Sequence, residues 1–137
     1  MLYSKLYERF YSFRTKIANI TGEFFSFRPN RVYLAIIIII QAVSWWFTSY
    51  LYKHLSGDLL VLHYNVDFGI DWIGDRGLIF YFPLIGLSFL LISLIMLGVF
   101  GPGKNFRAQS HYLLSGVVMS NLGILVALIL IYSTNFR

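Results

Sequence analysis

Cysteine is absent from the 137 residues. That excludes disulfides, thiolate catalysis and Cys-ligated zinc. Charge is scarce as well: Asp, Glu, Lys and Arg make up 12% of the chain, against about 25% in an ordinary soluble domain. Acidic residues are the rarer sign, six against eleven basic ones, for a net charge of +5. Proline occurs three times, so little interrupts the apolar runs. Catalytic signatures are lacking too. There is no H-E-x-x-H string, and Gly86-Leu87-Ser88-Phe89-Leu90 fails G-x-S-x-G at its last position. Gly98 to Lys104 spells the G-x-x-x-x-G-K of a phosphate loop. But Asn105 stands where Ser or Thr would hold magnesium, and an apolar helical run precedes it in place of a strand. The expectation is a protein that is not an enzyme and has no cofactor and no metal.

Apolar side chains dominate what is there, at 58% of the chain. A soluble fold this small cannot hide so many, because small folds bury only part of their surface. Three runs are long enough for lipid: 32–52, 78–100 and 112–132. Roughly 20 residues at about 1.5 Å each cross a hydrocarbon core of about 30 Å. The first run includes Ile36 to Ile40 and ends in Trp45, Trp46, Phe47, Tyr50 and Tyr52, an aromatic cluster suited to a membrane–water interface. Pro83 falls near the start of the second run, where its missing N–H does least harm. No cleavable signal precedes the first run, which is expected to stay as an anchor.

Residues 1–29 read differently. Leu2, Leu6, Phe10, Phe13, Ile17, Ile20 and Phe24 recur at steps of three and four, while Lys5, Glu8, Arg9, Arg14, Lys16 and Glu23 fall outside that stripe. This is an amphipathic helix, suited to the headgroup region through cations such as Lys5, Arg9 and Lys16, or to a groove on a partner. Pro29 and Asn30 are expected to break it before the first span. The fold class that follows is all-α, a single membrane domain over 1–137: three transmembrane helices preceded by an amphipathic interfacial helix. Eight of the eleven cations lie before the first run or between the second and third. The positive-inside rule then puts the N-terminus in the cytoplasm, and the 53–77 loop and the C-terminus outside. Anionic lipid headgroups, and not nucleic acid, are the expected partner for the basic excess.

Polar residues inside the runs are few. Gln41 and Asn121 each fall mid-span, where they are expected to hydrogen-bond between helices or to line a polar path. His111, at the start of the third run, has no evident partner. Gly116, Ser120, Gly123 and Ala127 are spaced by four, three and four, which puts small side chains on one helix face where another helix can approach closely.

The 53–77 loop alternates. Tyr64, Val66, Phe68, Ile70 and Trp72 are expected on one face of an extended segment, and His63, Asn65, Asp67 and Asp71 on the other. In a straight strand His63 and Asp71 would lie roughly 26 Å apart, at about 3.3 Å per residue, too far for one ion unless the chain folds back near Gly69. These four form the candidate outer-face site; the alternative is that they cap turns.

The run His63-x-Asn65, then Asp71-x-x-Gly74, resembles a loop in the N-terminal membrane domain of SdpI-type bacterial immunity proteins. Gly69 comes one position later than in that pattern, and Asp75-Arg76 replaces the usual following Lys. Extended through Pro83-Leu84-Ile85-Gly86-Leu87, the sequence is similar to a group of small uncharacterised bacterial three-span membrane proteins. That resemblance implies the three-helix layout and no particular activity. Three functions therefore stand open. The leading one is a non-enzymatic accessory, scaffold or assembly component that forms homo-oligomers or joins a membrane-protein partner. The second is a subunit of a transporter or channel, with a path between protomers lined by Gln41 and Asn121. The third is an immunity- or sensor-type protein that binds a cation or peptide at the outer loop.

Overall fold

The computed structural model describes residues 2–55, 57–65, 67, 69–101 and 103–136. The chain runs α1 (Leu2–Ser26), α2 (Arg28–His54), β1 (Leu59–Asn65), β2 (Gly69–Asp75), a 3-10 turn (Arg76–Phe80), α3 (Tyr81–Phe100) and α4 (Phe106–Asn135). Three helical stretches are long and apolar enough to cross a membrane: Arg28–His54, Arg76–Val99 and Phe106–Asn135. The all-α expectation holds, with a small β-hairpin added at one end.

The helices around the first and third apolar runs are longer than those runs. Hydropathy marks where side chains meet lipid, whereas a helix continues as long as its backbone hydrogen bonds do. The break between α1 and α2 falls at Phe27, not at Pro29 and Asn30. Pro29 sits inside the first turn of α2, where no intrahelical N–H bond is required of it. Asn30 serves the break in another way. Its buried side-chain amide donates to the Phe24 carbonyl at 3.2 Å, satisfying one of the last carbonyls of α1.

α4 is the central element. It packs along both α2 and α3, which touch each other far less. The buried face of α4 carries Phe106, Ser110, Leu114, Val117, Asn121, Leu128 and Ile131, at helical spacing. On α2 the corresponding face is Asn30, Ile37, Ile40, Gln41, Ser44, Thr48 and Leu51. The isoleucine run divides accordingly. Ile37 and Ile40 are buried, and Ile36, Ile38 and Ile39 point away from the bundle.

Two apolar clusters result. One, at the α1 end, joins Phe24, Ile37, Leu97, Phe106 and Leu114. The other, at the hairpin end, joins Leu51, Leu60, Leu62, Ile79, Leu128 and Ile131. Between them lies a polar layer. Gln41 Nε2 donates to Asn121 Oδ1 at 2.7 Å and to the Pro83 carbonyl at 3.2 Å. Asn121 Nδ2 donates to the Val117 carbonyl at 2.9 Å and reaches the Gly86 carbonyl at 3.4 Å. All three spanning helices meet here.

Gly86 permits that meeting. A Cβ at this position would lie 2.5 Å from both Asn121 Oδ1 and Gln41 Nε2. Gly86→Ala is therefore expected to push α3 off the polar pair, at a cost of about 1–3 kcal/mol, the usual range for overpacking. Thermal unfolding in detergent followed by circular dichroism should register a lower midpoint. Gly123→Ala, whose Cβ meets nothing within 4 Å, should leave the midpoint unchanged.

Candidate functional site

Within the 53–77 segment Leu59–Asn65 and Gly69–Asp75 pair as a two-stranded antiparallel hairpin and not as a single extended strand. Gly69 makes the fold-back possible with φ of 79°, a left-handed conformation that costs glycine little. The hairpin base is closed by Asp58 and Arg76. The Arg76 N–H donates to the Asp58 carbonyl at 3.0 Å, and the two side chains lie 3.8 Å apart. The Arg76 guanidinium also stacks 4.8 Å over the Tyr52 ring, tying the hairpin to the end of α2. The Asp75 carboxylate accepts from the Gly77 N–H at 2.6 Å and caps the 3-10 turn that leads into α3.

The register is irregular at two points. Val61 pairs with Ile73 and His63 with Trp72, so Leu62 has no opposite number. Tyr64 pairs with Ile70, so Asp71 has none. A bulge on one strand and then on the other interrupts the alternation twice. His63 and Trp72, expected on opposite faces, stand opposite each other across the two strands, which corrects that placement. Val66, Phe68 and the side chains of Tyr64 and Ile70 lie outside the described ones. The fold-back also removes the long separation expected between His63 and Asp71, which now fall on adjoining stretches of paired strands.

One side chain docks the hairpin on the bundle. Asn135, in the last turn of α4, accepts from the Val61 N–H at 2.9 Å and donates to the Val61 carbonyl at 2.9 Å. The amide of Asn135 thus pairs with β1 as a peptide group of a third strand would. It is held in place by donating to the Ile131 carbonyl at 2.8 Å. Leu60 and Leu62 are buried beneath.

Docking leaves a cavity of about 730 Å³ between the hairpin and the ends of α3 and α4. Val61, Leu62, His63 and Trp72 form its hairpin wall; Phe82, Ala127, Leu130, Ile131, Ser133 and Thr134 form the rest. The walls are mostly apolar. Polar groups, the His63 imidazole and the Ser133 and Thr134 hydroxyls, come from the hairpin and the last turns of α4.

The sequence-derived candidates are thereby divided. Of the four loop residues, His63 lines the cavity, and Asp67 is exposed in the hairpin turn. The side chains of Asn65 and Asp71 lie outside the described ones. Among the described residues there is no group of three or more metal-ligating side chains. Gln41 and Asn121 are brought together and buried, 8% and 1% exposed. Of the small-residue face, Ala127 faces the cavity, while Gly116 and Gly123 meet nothing within 4 Å. Lys5, Arg9 and Lys16 are exposed on α1. His111, which looked unpartnered, lies 3.0 Å from the Tyr33 hydroxyl in a hydrogen bond between α4 and α2.

Asn135 and Gly86 were not singled out from the sequence, nor were Ser44 and Thr48. The last two follow Gln41 on the same face of α2, at steps of three and four, and that spacing was the available signal. Among the described residues Asn30 Oδ1, Gln41 Oε1, Ser44 Oγ and Thr48 Oγ1 are buried with no hydrogen-bond partner, and all four lie on the buried face of α2.

The fold defines a class: a three-span helical membrane protein whose spans are locked by a mid-bundle amide pair and capped by a hairpin. Comparison with protein-family models, curated proteins and solved structures finds no match to this chain.

The docking contact gives a direct prediction. Asn135→Ala removes two hydrogen bonds to the Val61 backbone, at a cost of about 1–3 kcal/mol. Hydrogen exchange at the Val61 amide should accelerate strongly. Amides in the middle of α4 should keep their protection.

Proposed function

We propose that this chain is a non-enzymatic component of the cell membrane that acts by assembly, with copies of itself or with another membrane protein. The observation that carries this reading is the unused small-residue face of α4. Gly116 and Gly123 are exposed and surrounded by open space, and Ser120 lies between them. Beside them is a notch of about 230 Å³ bordered by Phe89, Ser93, Tyr112, Leu113 and Val117, shaped to receive a side chain from another helix. Between membrane helices association depends on close packing, because lipid is as apolar as the helix surface. A face lined by glycine permits that approach.

Further features support the same reading. Leu6, Phe10, Phe13 and Ile17 are exposed along α1, with Lys5, Arg9 and Lys16 off that stripe. A helix of this form, tethered one residue before a span, suits a surface of anionic headgroups. The basic excess at the α1 end supports a cytoplasmic N-terminus and a hairpin and C-terminus on the outside. The hydrogen bond between Gln41 and Asn121, and the burial of both side chains, favour a role in joining α2 to α4 over a transport path between protomers.

Gly123→Leu should abolish or strongly reduce cross-linked species in native membranes, while thermal stability of the solubilised chain stays near wild type. Undiminished cross-linking in that variant would remove the proposed interface.

A further inference from the structure

The cavity under the hairpin is not explained by assembly through α4. We propose that it holds the alkyl chain of a membrane lipid whose headgroup donates hydrogen bonds to the rim at Ser133 and Thr134.

Position is the first argument. Phe82, Ala127, Leu130 and Ile131 belong to two spanning helices, close to their hairpin ends. Leu130 is 60% exposed, so the cavity is continuous with the lipid-facing surface of α4. Its volume of about 730 Å³ falls in the usual range for ligand sites, about 300–1,000 Å³.

The backbone is the second argument. An extended peptide in such a groove would pair with the adjoining strand edge. The edge here is β1, and at Val61 both backbone groups are already bonded to Asn135. The wall offers apolar contact and no free peptide ladder at that point. An alkyl chain has no backbone groups to satisfy and fits such a wall.

Rim chemistry is the third argument. The Ser133 and Thr134 hydroxyls both donate to the Leu130 carbonyl, at 2.8 and 3.0 Å. With their protons committed, the oxygens remain as acceptors. They therefore suit a donor such as a primary ammonium better than a phosphate. Selectivity must come from this rim, because an alkyl chain that leaves the bilayer for the cavity gains little from apolar transfer alone.

The test uses the full chain in phosphatidylcholine vesicles with trace lysophosphatidylethanolamine, or lysophosphatidylcholine, carrying a nitroxide on the alkyl chain. The ethanolamine head donates hydrogen bonds and the choline head does not. Electron paramagnetic resonance should reveal a motionally restricted component that saturates at one lipid per chain and is several-fold larger for the ethanolamine lipid. Thr134→Trp, which fills the cavity, should remove it. The double variant Ser133→Ala/Thr134→Val keeps the volume and should bring the two lipids to parity. Gly123→Leu should retain the component, which separates this site from the assembly face. No saturable component in wild type would overturn the proposal, as would equal restriction of both lipids, loss in Gly123→Leu, or a Thr134→Trp variant that folds and still restricts the probe.

Discussion

The hydrogen bond between Gln41 and Asn121 is the contact on which the arrangement of the helices depends. Each residue lies halfway along its helix, and each carries an amide that hydrocarbon cannot satisfy. Turning either helix would leave those groups facing lipid, so the pair sets the rotation of α2 and α4 together. A membrane hydrogen bond of this kind contributes modestly, on average about 0.6 kcal/mol. Its influence on geometry is larger than its energy, because the alternatives leave buried amides unpaired. Gly86 brings α3 to the same point, and the apolar clusters fill the space on either side.

The rotation set by Asn121 decides what α4 shows elsewhere. At about 100° per residue, Gly116, Ser120 and Gly123 lie roughly 130° round the helix from Asn121. The small residues are consequently kept out of the core and left on the flank. The close approach that glycine allows inside the bundle is made instead at Gly86. The same rotation brings Ala127, Leu130 and Thr134 under the hairpin, where they form one wall of the cavity.

At the hairpin end the governing constraint is backbone satisfaction. A two-stranded sheet exposes unpaired N–H and C=O groups along its edges and is marginal alone. Here a side-chain amide at the end of a spanning helix pairs with one edge, and Leu60 and Leu62 bury the underside. Arg76 and Asp58 close the base. At the opposite end α1 is held mainly by Phe24 and Ile20, with Arg107 of α4 placed 5.8 Å over the Phe27 ring at the break. Leu6, Phe10, Phe13 and Ile17 of the apolar stripe stay exposed.

The sequence by itself determined the helices and their number. Apolar run length and helical spacing are local properties, and they identified three spans, the amphipathic α1 and the two mid-span amides. It could not determine the break at Phe27 or the hairpin with its two bulges, because these follow from which backbone groups find partners, a property of neighbours distant in the chain. Tertiary structure alone decided that Gln41 meets Asn121 across 80 positions, that Gly86 and not Gly123 makes the close contact, and that Asn135 docks on Val61. A side chain's type is written in the sequence; whether its polar atoms face a helix, a strand or lipid is settled only when three helices choose their rotations together.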